Sequence, residues 1–119
     1  MLPAAHRMRR PAEFEHTVRR GVRAGRTALV VHLTTRTDPG PGPVVGFVVS
    51  KAVGGAVTRN VVKRRLRELV HARLDALVDV DLVVRATPAA AEAPFLELGA
   101  QLDGALATAR KRLVSTGER

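Results

Sequence analysis

The sequence predicts a single α+β domain, a sheet with helices packed on it. Three observations carry that prediction. The chain has 119 residues, 45% of them apolar, which is enough for one core without disulfide or metal staples. Runs with helical spacing alternate with β-branched runs in the order α-β-β-α-β-α. One helical run, residues 58–77, is apolar on one face and cationic on the other.

Residues 1–10 carry Arg7, Arg9 and Arg10 and read as a basic arm. Pro11 suits a first helical turn, Phe14 and Val18 lie four apart, and Gly21 is a stop signal, so a helix is expected over 11–20. Thr27 to Thr35 is rich in β-branched residues and reads as a strand. Residues 36–43, Arg-Thr-Asp-Pro-Gly-Pro-Gly-Pro, read as a loop. Val44 to Ser50 is a second strand, expected to form an antiparallel hairpin with the first. Gly54-Gly55 marks a turn over 51–57. After the helix at 58–77, Val80 to Arg85 is a third strand. If it runs parallel to the second, the intervening helix makes a βαβ crossover. Pro88 and an Ala-rich stretch lead to a final helix whose buried face is Phe95, Leu98, Leu102, Leu106, Ala109 and Leu113. The organisation is thus an arm at 1–10, one domain at 11–113 and a frayed tail at 114–119.

Twenty basic residues face 11 acidic ones, a net charge of +9, which points to nucleic acid or another anionic surface. A membrane is the weaker partner, because no apolar run approaches the ~18 residues a span needs. The N-terminus lacks an apolar stretch of secretory length, so a cytoplasmic protein is expected. Cysteine is absent, which excludes disulfides, thiolate catalysis and Cys-ligated metals. The four histidines have no metal-ligand spacing. Asp79 and Asp81 share a strand face, a spacing that can hold magnesium but that ordinary strand entries also show. Ser50-Lys51 is no Ser–Lys nucleophile motif, and Gly54-Gly55 fits no phosphate-binding fingerprint. No self-sufficient active site is present in the sequence.

What remains is a binding surface. Arg59, Lys63, Arg64, Arg65 and Arg67 crowd one helix, and Glu68 is the only acid between Thr58 and Leu74. At roughly 100° per residue, Asn60, Lys63, Arg64, Arg67 and His71 share one face, and Val62, Leu66, Leu69 and Val70 another. A merely solvated helix alternates sign to gain i,i+4 pairs; this one does not. Lys51, Arg7, Arg9 and Arg10 extend the surface. Stacking platforms are few: Phe47 and Phe95 read as core, Phe14 as the candidate platform. His32 interrupts an apolar strand and has two open readings, a base or phosphate contact and a satisfied sheet-face histidine.

These segments resemble a known family, the protein subunit of bacterial ribonuclease P. Residues 7–21 look like its N-terminal helix. Val45-Gly46-Phe47-Val48-Val49-Ser50-Lys51 is similar to its Val-Gly-x-x-Val-Ser-Lys strand. Residues 56–68 resemble its most specific segment, Arg-Asn-Arg-x-Lys-Arg-x-x-Arg-Glu, and residues 81–86 the strand that follows.

The resemblance implies an α-β-β-β-α-β-α sandwich of a ribosomal-protein-like superfamily, with an extra short strand near Val22–Arg23. It also implies a left-handed βαβ crossover, against the general rule. It implies that an RNA subunit is the catalyst, with magnesium bound to that RNA, and that the protein, a monomer in the holoenzyme, adds affinity for precursor tRNA. Arg59, Asn60, Lys63, Arg64 and Arg67 match the motif that contacts the catalytic RNA. Phe14, Val18, His32 and Ser50 fall in the cleft that holds the 5′ leader. Val61 replaces the motif's second Arg, and Val18 stands where a second aromatic is common. A structural RNA-binding protein of ribosomal type is the alternative. A DNA-binding module ranks below both, because no helix precedes the basic one at helix-turn-helix spacing.

Overall fold

The computed structural model describes residues 6–8, 10–36 and 43–117, with side chains to Ser115. The elements are α1 (Pro11–Arg20), β1 (Val22–Gly25), β2 (Leu29–Thr35), β3 (Val45–Val48), α2 (Ala56–His71), β4 (Val80–Ala86) and α3 (Phe95–Gly117). Short 3-10 turns at Lys51–Val53, Leu74–Leu77 and Pro88–Ala91 join them. The order is α-β-β-β-α-β-α, and the extra strand is β1.

Pro11 opens α1, and the chain leaves it at Gly21, whose N–H donates to the Thr17 carbonyl at 3.0 Å. A Cβ at Gly21 would lie 2.4 Å from the Thr17 oxygen and 2.6 Å from that of Leu33, so only glycine fits there. β1 follows at once and pairs antiparallel with β2.

The sheet order is β1-β2-β4-β3. β4 pairs antiparallel with β2 and parallel with β3. The hairpin expected between the strands at 27–35 and 44–50 therefore does not form: β4 inserts between them. Two facts explain the insertion. β4 is buried on both faces, with Leu82, Val83 and Val84 each at 0% exposure, which suits a central strand. Asp81 of β4 also accepts from Arg36 Nη1 at 2.7 Å and from the Val44 N–H at 3.1 Å. It thereby ties both ends of the 36–44 connection across β4. The segment β3-α2-β4 is a crossover between parallel neighbours.

The core lies on one sheet face. Leu29, Val31 and Leu33 of β2 and Leu82 and Val84 of β4 meet Leu66 and Val70 of α2 and Leu98, Leu102 and Ala109 of α3. α3 lies across β1 and β2, and α1 covers β2 and β4 from the opposite side. Val30, His32 and Thr34, on that opposite side, are consequently buried as well.

α2 stops at His71, short of the expected 77. The Arg73 guanidinium turns back to the Leu69 carbonyl at 2.7 Å and binds Asp103 of α3 at 2.5 Å, which closes the helix end. Leu77 still reaches the core from the 3-10 turn. In α3 the expected face is buried at Leu98, Leu102, Leu106 and Ala109 and partly buried at Leu113, while Phe95 is 36% exposed. Phe95 sits in the first turn of α3, in a groove beside α2 with Leu69 and Ala72, rather than over the sheet. The described part of the tail, to Gly117, continues α3. Residues 6–8 of the arm lie along β3: Arg7 bridges Val45, and the Met8 N–H donates to the Val45 carbonyl at 2.8 Å.

Candidate nucleic-acid interface

α2 begins at a forced turn. Gly54 has φ +155, a backbone state that favours glycine, and a Cβ there would lie 2.9 Å from Thr58 Cγ2. The helix then buries Val62, Leu66, Leu69 and Val70, which fixes its rotation. Asn60, Lys63, Arg64 and Arg67 are thereby turned outward. With Glu68 they enclose a hollow of about 510 Å³. Among the described residues its walls all come from α2, as extended side chains that a ligand can reshape.

Two of the predicted cations stand apart from this stripe. Taking Val62 as zero, helical spacing puts Arg59 at about 60°, inside the buried arc that runs from Leu69 at about −20° to Val70 at about 80°, and Arg65 at about −60°, just outside it. The Arg59 Nε is buried without a hydrogen-bond partner among the described residues. Among the described residues none of Arg59, Lys63, Arg64, Arg65 and Arg67 is ion-paired; the pairs are Arg19–Glu15, Arg36–Asp81, Arg73–Asp103 and Arg110–Asp79. The stripe therefore keeps its charge for an external anion.

A second feature lies on the sheet face that α1 covers. Pro11, Phe14, Glu15 and Val18 of α1 face Val48 of β3 and Arg85 of β4 across an open trough of about 530 Å³. Phe14 is half-buried, with its ring edge over Gly46. It is thus both packed and available along the trough. Val48 and Arg85 were missed in the sequence, because only the pairing Val48↔Arg85 brings them together.

His32 does not line this trough. It is 7% exposed, between Arg23 on β1 and Val83 on β4 in register. Burial, then Arg85, then Arg23 hold its pKa below the usual 6.5, so the imidazole is neutral at pH 7. Its Nδ1 has no partner among the described residues. Neither sequence reading is met in full: His32 is a sheet-face histidine, but not a satisfied one, and it is too enclosed to be an open platform.

Ser50 and Lys51 are exposed just beyond β3, between the trough and α2. Arg10 is exposed at the start of α1, while Arg9 lies outside the described residues. Asp79 and Asp81 do not work together. Asp79 accepts from Arg110, which with its backbone contact outweighs partial burial and holds its pKa low, and Asp81 is spent on Arg36 and Val44. Among the described residues no three His, Asp or Glu side chains gather as a metal site. Among them, too, no helix is long and apolar enough to cross a membrane.

Comparison with known proteins agrees with this arrangement. Residues 2–110 match the family model described as ribonuclease P. The ribonuclease P protein component of Beutenbergia cavernae is 58% identical over 107 residues, 89% of each chain. That of Streptomyces bikiniensis is 53% identical with both chains wholly covered. Among solved structures, the RNase P protein of Staphylococcus aureus superposes with a TM-score of 0.80 at 26% identity, covering 87% of this chain and 94% of that one. The Thermotoga maritima RNase P protein, at 22% identity and a TM-score of 0.69, shares the fold. With its sequence matched almost from end to end and its α-β-β-β-α-β-α architecture shared, this chain belongs to the ribonuclease P protein family.

Proposed function

We propose that this chain works as the RNA-binding component of a tRNA-processing ribonucleoprotein, with α2 on the RNA subunit and the trough beside α1 on the 5′ leader of precursor tRNA. The observation that carries the reading is the stripe Asn60, Lys63, Arg64 and Arg67, cationic, outward-facing and unpaired among the described residues. Guanidinium groups bind phosphate in a bidentate fork, and rigid placement on a helix fixes which phosphates they reach. In the trough, Arg85 attracts the backbone of a single strand while Phe14 offers one apolar face to a base.

On this reading the RNA subunit carries the chemistry. The described carboxylates do not fit a magnesium cage, since Asp79 and Asp81 are each turned to an arginine; the magnesium of the reaction is assigned to the RNA. The protein's own work is to bind, orient and neutralise phosphate charge. It acts as a monomer in the cytoplasm.

Reconstitution tests this. Purified protein with precursor tRNA and magnesium should cleave nothing. Adding the RNA subunit should give cleavage at the mature 5′ end at magnesium concentrations where the RNA alone is inactive. Specific cleavage by the protein alone sinks the assignment of chemistry. Failure to lower the magnesium requirement favours a structural RNA-binding role.

A further inference from the structure

The edge of the sheet farthest from β3 carries a second set of cations. β1 is an edge strand, separated from β3 by three strand spacings, about 14 Å. It is bracketed by two helix ends. From the α1 side comes Arg20, in the last turn of that helix. From the α3 side comes Arg112, whose guanidinium donates to the Arg23 carbonyl, with Lys111 beside it. Arg23 itself shares the sheet face of His32. Arg20, Arg23, Lys111 and Arg112 are all exposed. Among the described residues no carboxylate pairs with Arg20, Arg23 or Lys111.

This surface is distinct from the trough. At 100° per residue, Arg20 lies roughly 190° around α1 from the centre of Pro11, Phe14, Glu15 and Val18. α1 is therefore a ridge with the trough on one flank and the β1 edge on the other. The chemistry differs too. The trough has Phe14. The three phenylalanines, the chain's only aromatics, are at 14, 47 and 95, none of them on the β1 edge. Single strands are held by charge together with stacking platforms, whereas double-helical RNA is held through its backbone. Arginine and lysine without an aromatic fit the second.

We propose that the exposed edge of β1, with Arg20, Arg23 and Lys111, is a second RNA-binding surface that takes the phosphate backbone of a double-helical segment of the RNA subunit. It shares with the proposed function only the premise that the partner is RNA. One protein then touches two separate places on that RNA, through α2 and through β1.

The test is the salt dependence of binding to the RNA subunit alone. Each phosphate contact adds about 0.9 to the slope of log K against log salt. The Arg20→Ala/Arg23→Ala/Lys111→Ala variant should lose about 2.7 of slope. Its affinity deficit should narrow on the order of 40-fold between 50 and 200 mM salt. An Arg20→Lys/Arg23→Lys variant keeps the charge and should keep the slope. Arg64→Ala/Arg67→Ala, measured in parallel, reports on α2, and losses at two separate surfaces should add. A triple variant with unchanged slope and affinity overturns the proposal. So does a loss seen only when the holoenzyme binds precursor tRNA, which would place the substrate on this edge. If the triple variant loses slope while the α2 variant does not, the β1 surface stands and the reading of α2 falls.

Discussion

Replacing Gly46 by alanine tests whether Phe14 serves the trough or merely packs. Gly46 lies in β3 under α1. A Cβ there would lie 2.4 Å from Phe14 Cε1, 2.7 Å from Cζ and 3.0 Å from Met8 Sδ. Non-bonded carbons rest about 3.5–4.0 Å apart, so the overlap is about 1 Å and something must move. The β3 backbone is held by β4 on one side and by the Met8 N–H on the other. The Phe14 ring is the end of a half-buried side chain, so the ring yields. Overpacking costs about 1–3 kcal/mol, and the open trough puts this case near the lower end. Losing a stacked base costs about 1–3 kcal/mol, which is about 5- to 150-fold in affinity. The assay is holoenzyme binding to precursor and to mature tRNA. Gly46→Ala should weaken the precursor by that factor and leave mature tRNA within about twofold. Adding Phe14→Leu should relieve the overlap and recover stability without recovering discrimination, a coupling that a double-mutant cycle reads directly. If Gly46→Ala lowers stability but precursor is still preferred as before, Phe14 is packing alone and the trough does not hold the leader.

Three further outcomes are expected. Arg64→Ala and Arg67→Ala should each lower the salt slope for the RNA subunit by about 0.7–0.9, and Arg65→Ala by clearly less; equal losses at all three would show that binding is not confined to the stripe. Leu66→Ala, at a site with 0% exposure, should cost about 2–5 kcal/mol, read as a lower urea midpoint with unchanged m-value. His32 has a depressed pKa when folded, so on acidification the unfolded chain takes up its proton first. Stability is therefore full above pH 6.5, the usual histidine value, and falls as pH drops towards and through the folded pKa. Urea titrations should show His32→Leu flattening that decline, and an identical decline in both proteins would show that His32 is not its source.

The α2 stripe was legible because two signals coincided there: a helical apolar period and an almost complete lack of acids. Its far end was not, because Arg73 turns back to Leu69 only with Asp103 of a distant helix to hold it. β1 was invisible to pattern: Val-Arg-Ala-Gly has no β-branched run, and the strand exists because β2 offers it a partner. Strand pairing was misread because the bias towards neighbouring hairpins is local, while the pull of β4 to the centre comes from burial on both its faces. Helical spacing put Phe14 and Val18 on one face of α1, and the family resemblance made that face the wall of a cleft. Arg85 and Val48 could not be placed there, since they meet only through lateral register.

The two edges of the sheet are closed to other strands by different means. β3 is covered by the chain itself, through the Arg7 bridge, the Met8 N–H and the His6 Nδ1 that donates to the Pro43 carbonyl at 2.7 Å. β1 carries Arg23, with Arg20 and Arg112 from the flanking helices beside it, and charged side chains on an edge keep identical strands from pairing. Coverage does not depend on salt, but repulsion does. The screening length shrinks from about 10 Å at 0.1 M to about 3 Å at 1 M. Without its RNA, the protein is therefore expected to self-associate at β1 more readily in concentrated salt, the usual means of stripping RNA from a basic protein, while β3 stays shut; light scattering across a salt series reads the difference.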